Sequence, residues 1–120
     1  MEARLARETN PNFMNGVPEL MILRLLQNRE MYGYELVQAI RDQTAEVIAV
    51  GEGVVYPVLH GLERDGALTS RRKTVGGRSR VYYTLTPAGA HRFNELAAAW
   101  RRLTLSVQTV LQGGEHGAAV

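Results

Sequence analysis

Residues 53–66 read GVVYPVLHGLERDG, and this stretch decides the fold. Its apolar side chains recur at i, i+3, i+4 and i+7; they are Val55, Val58, Leu59 and Leu62. This spacing predicts a helix over residues 54–65 that buries one face. Gly66 follows the last apolar position, where glycine commonly ends a helix. Because of Pro57, the helix either begins late or lacks one backbone hydrogen bond.

Two short runs that favour β-structure follow this helix directly. They cover residues 68–74 and 80–85, and the five residues between them include Gly76 and Gly77. A glycine pair between two such runs is typical of a hairpin turn. We therefore predict a hairpin behind the helix.

Three further helices are predicted, over about residues 18–28, 32–43 and 87–111. Pro18 and Pro87 suit the first helical position, and Thr86 suits the N-cap of the last helix. Residues 45–50 are either a short strand or an extended link. Three compact helices followed by a hairpin are typical of the winged helix-turn-helix, whose third helix enters the major groove of DNA. The predicted fold is thus mainly α with a small β-hairpin (α+β), plus one long C-terminal helix.

The composition indicates one ordinary folded domain with an appendage. The chain has 120 residues, 45% of them hydrophobic and none of them cysteine, which excludes disulfides and thiolate metal sites. No apolar run approaches the ~18 residues of a membrane span, and no signal-peptide pattern opens the chain. We therefore expect a cytoplasmic protein that does not contact membranes.

The sequence has no pattern that predicts catalysis. The histidines, His60, His91 and His116, lie far apart and lack the short spacings of a metal site. The glycines at residues 51–53 and 76–77 match neither a phosphate-binding loop nor a dinucleotide fingerprint. We expect no enzyme activity, no catalytic residue, no metal and no cofactor.

The net charge of +2 is unevenly distributed along the chain. Residues 66–92 contain six basic side chains and no acidic one, whereas residues 1–65 contain six basic and ten acidic ones. Five basic side chains lie on or beside the predicted hairpin: Arg71, Arg72, Lys73, Arg78 and Arg80. A protruding basic hairpin can bind DNA phosphates or a minor groove. The alternative is a solvated edge that deters strand pairing.

The face of the third helix opposite its apolar stripe carries Gly53, Tyr56, His60 and Arg64. Tyrosine, histidine and arginine side chains donate hydrogen bonds to phosphates and base edges. An ordinary solvated helix has a similar face. The position directly before a basic hairpin favours DNA binding.

The last helix has an apolar side chain every three or four residues: Phe93, Leu96, Trp100, Leu103, Val107 and Val110. This heptad pattern is typical of helices that associate. A helix of ~25 residues is ~37 Å long, which favours self-association over packing within one compact chain. We therefore divide the chain into an N-terminal arm that is mobile or docked on a partner, a winged helix-turn-helix, a dimerisation helix and a disordered tail, at residues 1–16, 17–86, 87–112 and 113–120.

Three motifs occur along the chain: YGYEL at residues 32–36, the opening stretch at 53–66, and GRSRVYYTLTPAG at 77–89. Together they resemble the PadR family of bacterial transcriptional regulators. The resemblance covers about residues 17–111. It implies a homodimer of winged helix-turn-helix subunits, usually a repressor that a small molecule releases from a palindromic operator in double-stranded DNA.

The resemblance also assigns roles to individual residues. Tyr56 matches the family's DNA-contacting tyrosine, and the stretch from Lys73 through Arg80 matches its basic wing. Some members with a single C-terminal helix bind flat aromatic compounds between the subunits through a tryptophan, and Trp100 matches that position. Packing in the heptad core is the alternative role for Trp100.

Two sets of site residues follow from the pattern and the resemblance together. The dimer and effector interface comprises the six apolar heptad residues from Phe93 to Val110. The predicted DNA-binding residues are Tyr32, Tyr34, Gly53, Val54, Tyr56, Pro57, His60, Arg64, Lys73, Arg78 and Arg80.

Two positions depart from the family pattern. Val54 and Gly61 stand where members often have a threonine and a basic residue, so two DNA contacts are missing. This departure suggests an alternative function, a winged-helix module that binds a protein partner without recognising a DNA sequence.

Overall fold

The computed structural model describes residues 15–113. Four helices and a three-stranded antiparallel sheet make the fold α+β, as predicted. The predicted arm, apart from residues 15 and 16, and the predicted tail, apart from residue 113, lie outside the described residues. The elements in chain order are α1 (Val17–Leu25), β1 (Met31–Tyr32), α2 (Gly33–Gln43), α3 (Glu52–Arg64), β2 (Leu68–Val75), β3 (Arg78–Leu85) and α4 (Pro87–Leu111).

The core lies where α1, α2 and α3 pack together against the sheet. Its fully buried side chains are Ile22, Leu23, Leu36, Ile40, Val55, Leu59 and Leu68. Within residues 15–113, no charged or polar residue is buried. The polar side chains of α3 and of the hairpin are therefore at least partly accessible to a ligand.

The segment before α2 differs from the prediction. α1 ends at Leu25, about three residues early, and Met31 and Tyr32 form a strand rather than a break and a first helical turn. This strand pairs with β3, where Met31 lies opposite Tyr83 and Tyr32 opposite Tyr82. Because two residues carry no periodicity, β1 is defined only by a partner far along the chain. The strand order is β1-β3-β2.

The hairpin is longer and its turn tighter than predicted. Its strands reach Val75 and Arg78, so the connection has two residues rather than five. Gly76 and Gly77 have φ angles of 58° and 79°. The two-residue turns that match the twist of a hairpin require such angles at both positions. The turn therefore projects both strands as one regular ribbon.

The structure decides two alternatives that the sequence left open: the conformation of residues 45–50, and whether α3 begins before Pro57. Residues 45–50 contain turns and bends rather than a strand, and Ala45 and Glu46 have φ angles of 51° and 66°. α3 begins at Glu52, so Pro57 lies inside the helix. The proline has no N–H, and the carbonyl of Gly53 therefore lacks its helical donor.

The start of α4 is fixed to the corner between α3 and β2. The Thr86 hydroxyl accepts a hydrogen bond from the N–H of Gly89 at 3.0 Å, which confirms the predicted N-cap. The same hydroxyl lies 2.7 and 2.9 Å from the carbonyl oxygens of Gly66 and Ala67. A Cβ on Gly89 would lie 2.2 Å from the Ala67 carbonyl oxygen, so glycine permits this close approach. The direction of α4 is therefore set by the winged domain.

Candidate nucleic-acid interface

One face of α3 is exposed along its length. Val55, Leu59 and Leu62 are buried on the inner face, as their spacing predicts. The predicted DNA-binding residues that lie exposed on this helix are Gly53, Val54, Pro57, His60 and Arg64. The outer face therefore presents small, apolar and basic groups, and the exposed carboxylate of Glu52 lies at its N-terminal end.

Tyr56 lies at the side of this face, half-buried against α2. Its ring occupies the space beside Gly33, where an added Cβ would lie 2.4 Å from the ring carbon Cζ and 2.5 Å from the hydroxyl oxygen. The ring of His60 is 6.1 Å away, centroid to centroid. Gly33 thus makes room for Tyr56, and Tyr56 lies beside His60.

A cleft of about 320 Å³ separates α3 from the hairpin. Its lining brings together four predicted site residues, Tyr32, Tyr56, His60 and Arg80, with Arg72, Ser79, Val81 and Tyr83. Phenol, imidazole and guanidinium groups can each donate a hydrogen bond to a DNA phosphate. The cleft therefore has the chemistry and the location of a site for the DNA backbone.

The Tyr56 hydroxyl keeps its proton at neutral pH. Partial burial raises its pKa above the ordinary value, and the nearby Glu52 and Tyr32 raise it further. A neutral phenol donates a hydrogen bond, whereas a phenolate would repel a phosphate. Tyr56 is therefore a constant hydrogen-bond donor among the residues that line the cleft.

The register of the hairpin places its basic side chains on two faces. Arg72 lies opposite Val81 and Ser70 opposite Tyr83, and the Ser70 hydroxyl donates to Glu63 of α3 at 2.6 Å. This inner face is turned towards α3. Residues directly opposite each other share a face, so the second, outer face carries the pairs Arg71–Tyr82 and Lys73–Arg80.

The outer face carries a layer of cations and aromatic rings. The Lys73 ammonium lies 4.3 Å from the centroid of the Tyr82 ring, and the Arg80 guanidinium lies 4.3 Å from that of Tyr32. The two tyrosine rings meet edge to face at 5.3 Å. Arg80 and Tyr32 also reach the edge of the cleft. These contacts position Arg80 beside the cleft.

Glu30 also contacts the cations of the outer face, and nothing in the sequence predicted this contact. Its carboxylate forms ion pairs with Lys73 and, at 3.3 Å, with Arg71. It lies more than forty positions from either partner, and no spacing or motif links them. Glu30 is brought to them because it directly precedes β1.

The predicted basic residues are therefore not equivalent. Lys73 is held by Glu30, while Arg78 is exposed at the hairpin turn and forms no ion pair within residues 15–113. Arg92, the sixth basic residue of the segment, pairs with Glu19 at 2.5 Å and Asp65 at 3.5 Å. Tyr34 lies outside the cleft on α2, where its hydroxyl accepts a hydrogen bond from Gln38 at 3.0 Å.

The heptad residues of α4 divide into two groups. Phe93 and Leu96 pack partly buried against the core of the same chain. The other four, Trp100, Leu103, Val107 and Val110, are exposed, as are Leu105 and Leu111, which fall outside the predicted heptad. The C-terminal half of α4 thus presents a large apolar surface.

An apolar groove of about 560 Å³ lies between α4 and the first two helices. Trp100, which is 43% exposed, lines it together with Met21 and Ile40. The remaining lining residues include Leu20, Leu25, Ala39, Phe93 and Ala97. The groove has the size and the lining of a site for a small organic molecule.

The arrangement of helices and wing can be compared with known proteins. The sequence model of the transcriptional regulator PadR-like family matches residues 22–95. The chain belongs to the PadR family. The transcriptional regulator Rv3488 of Mycobacterium tuberculosis is 35% identical to this PadR chain over 106 residues, which cover 88% of the chain and 94% of the relative.

Solved structures agree with this assignment. A PadR family transcriptional regulator from Eggerthella lenta is 29% identical, with a TM-score of 0.73 over 83% of this PadR chain and 86% of its own. A transcriptional regulator from Clostridium thermocellum, Cth-833, is 26% identical, with a TM-score of 0.76 over 82% and 96% of the two chains. The winged-helix fold is therefore confirmed. The family and these relatives are transcriptional regulators, not enzymes.

Within residues 15–113, none of the helices combines the length and the apolar character needed to cross a membrane.

Proposed function

We propose that this PadR-family regulator is a homodimeric repressor that binds a palindromic operator and is released by a small, flat aromatic effector. The observation that carries the proposal is the cleft between α3 and the hairpin. There Tyr56, His60 and Arg80 converge beside the exposed face of α3. A cleft of donors next to an exposed recognition helix fits the backbone and the major groove of one half-site.

Within one subunit, α3 enters the major groove and the hairpin lies on the flanking backbone. Gly53, Val54 and Pro57 allow close approach of the helix to the base edges, while His60 and Arg64 supply donors. Tyr56 donates to a phosphate and fixes the register. Arg78 and Arg80 supply the affinity that depends on salt concentration.

Two subunits associate through the apolar surface of α4. The exposed side chains of its C-terminal half need a partner of similar character, and a second copy of the same heptad supplies one. The pair then presents two copies of α3 to successive major grooves, ~34–36 Å apart. A palindromic operator follows from the twofold symmetry of such a dimer.

The effector binds in the groove beside Trp100. This groove contacts both the winged body and the helix that carries the dimer interface. A ligand that binds better when the subunit angle does not fit the operator shifts the population away from the DNA-bound state. An effector site in this groove also explains why Trp100, a large aromatic residue, occupies a heptad position.

Arg78→Ala combined with Arg80→Ala is expected to weaken operator binding about tenfold or more and to reduce its salt dependence. Four phosphate contacts would be lost from a dimer, and each contributes about 0.9 to the slope of log K against log salt. The slope should fall by about three to four. The measurement is a titration of the DNA upstream of the protein's own gene at several salt concentrations.

The control is Arg101→Ala with Arg102→Ala, which removes the same charge from α4 away from the hairpin. This control should keep the slope of the unaltered protein. An unchanged slope in the hairpin variant would refute the wing contact. If the unaltered protein fails to bind that DNA at physiological salt and a protein partner is recovered instead, the interaction-module function replaces the repressor.

Planar aromatic compounds that release the operator are expected to change the fluorescence of Trp100, the single tryptophan of the chain. Stacking against the indole ring quenches or shifts its emission. Titration of each compound with and without operator DNA measures both effects on one sample. Release of DNA with unaltered emission would place the effector site elsewhere.

A further inference from the structure

The outer face of the hairpin contains a carboxylate that binds two of its cations. We propose that Glu30 is a specificity-determining residue of the DNA interface, because it holds Lys73 and Arg71 and keeps them from binding phosphates of any DNA sequence. The proposal rests on the proposed DNA-binding function. It concerns the ratio between operator affinity and affinity for other DNA.

The contacts of Glu30 occupy both oxygens of its carboxylate. Oε2 accepts a hydrogen bond from the Lys73 ammonium, and Arg71 Nη2 lies 3.3 Å from both oxygens. Arg71 Nε adds a further contact at 3.4 Å. These donors keep the pKa of the Glu30 carboxyl below its ordinary value, chiefly through the hydrogen bond from Lys73. Glu30 therefore remains ionised across the neutral range.

Lys73 is held from two sides. Its ammonium contacts Glu30 and lies over the ring of Tyr82, and only 28% of its side chain is exposed. Arg78 at the turn has no such restraint within the described part of the chain. Among residues 15–113, Lys73 and Arg71 are thus the two hairpin cations that form ion pairs.

The location of this cluster explains why it acts on specificity. Arg71 and Lys73 lie on the hairpin face turned away from α3. Arg80 shares this face but reaches the edge of the cleft beside α3, whereas neither Arg71 nor Lys73 lines that cleft, so these two cations lie outside the proposed backbone site of the operator complex. On other DNA the protein has no fixed orientation, and a free cation on any face adds to phosphate binding. Releasing the two cations therefore strengthens binding to other DNA more than binding to the operator.

The test is Glu30→Gln, which keeps the size of the side chain and removes its charge. Affinity for a duplex of random sequence should rise about tenfold at low salt, with a slope steeper by up to about three to four units. Operator affinity should change by less, so that the ratio of the two falls severalfold. Glu95→Gln makes the same charge change on α4 and should leave the ratio as it is.

A second variant tests the same point without altering Glu30. Arg71→Gln with Lys73→Gln should reduce the salt slope much less than the loss of Arg78 and Arg80, since the fold already compensates the first two charges. Adding Lys73→Gln to Glu30→Gln should reverse part of the gain in binding to random DNA. The result for Arg71→Gln with Lys73→Gln would also stand if the single Glu30 variant were unstable.

Each outcome bears on one proposal only. Failure of the unaltered protein to bind the upstream DNA would overturn the proposed function. If that protein binds and Glu30→Gln leaves random-duplex affinity unchanged, the role of Glu30 is refuted. An equal gain on both DNAs would overturn the effect on specificity, as would a large loss of slope from Arg71→Gln with Lys73→Gln.

Discussion

Gly33→Ala is expected to lower the affinity of the dimer for its operator about a hundredfold to ten-thousandfold, although Gly33 itself contacts no DNA in the proposed complex. The new Cβ would overlap the ring carbon and hydroxyl oxygen of Tyr56 at 2.4 and 2.5 Å. Both atoms belong to the far end of a mobile side chain, so Tyr56 turns out of the cleft while the fold persists. The loss corresponds to one hydrogen bond to a charged group in each subunit, worth about 1.5–3 kcal/mol.

The stability of this variant should stay close to that of the unaltered protein. Gly33 is the first residue of α2, and alanine favours a helix over glycine by up to about 1 kcal/mol. A thermal melt checks this point. Unchanged operator binding in a folded Gly33→Ala protein would show that Tyr56 does not need its present position.

Tyr56→Phe is the matched comparison, since it removes the hydroxyl and leaves the ring. It should weaken operator binding as much as Gly33→Ala does, and the two changes together should weaken it little further. A spectroscopic pH titration of the tyrosines tests the displacement of the Tyr56 ring independently of DNA binding. Burial raises the pKa of Tyr56, so moving the ring into solvent in Gly33→Ala should lower that pKa towards the ordinary value.

The parts of the fold that the sequence predicted are those that depend on local spacing. The apolar stripe of α3 and the glycine pair of the hairpin determine their elements within a few residues, and both were confirmed. β1 could not be predicted, because Met31 and Tyr32 become a strand only by pairing with β3. The strand ends near Gly76 were missed because Val75, Arg78 and Ser79 show no regular alternation of apolar and polar side chains.

In the candidate site, too, contacts between neighbours along the chain could be predicted, and contacts between distant segments could not. His60 and Tyr56 belong to one helix turn, and their proximity could be predicted from the sequence. The pairing of Glu30 with Lys73, and the stacking of Arg80 on Tyr32, depend on how β1 joins the sheet. Lys73 could therefore be identified as basic but not as already paired, and the exposure of Leu105 beside the heptad had no periodic signal.

Leu103→Glu combined with Val107→Glu is expected to convert the proposed dimer into a folded monomer and to weaken operator binding by at least about a hundredfold. Both side chains are exposed in the single chain, at 57% and 48%, so the fold does not depend on them. In a dimer they would meet their copies, and glutamate there would place unpaired charges in an apolar interface.

The size of the effect comes from the two half-sites. Once one subunit is bound, a linked partner binds its half-site at a high effective concentration, which commonly adds 10²–10⁴ to the affinity. A monomer loses this gain but keeps all contacts of a single α3 and hairpin. Its residual binding should therefore resemble binding to an isolated half-site, and Arg78→Ala with Arg80→Ala should then reduce the salt slope by about half as much as in the dimer, since one subunit supplies two of the four contacts.

Sedimentation measures the mass, and titration with full operators and half-operators measures the affinity. Gln108→Glu with Thr109→Glu adds the same two charges to α4 at positions outside the heptad, and this control should remain dimeric. A double glutamate variant that still sediments as a dimer would exclude the α4 interface. A monomer that binds the full operator as tightly as the unaltered protein would instead separate DNA recognition from dimerisation, since each α3 would then act without a partner.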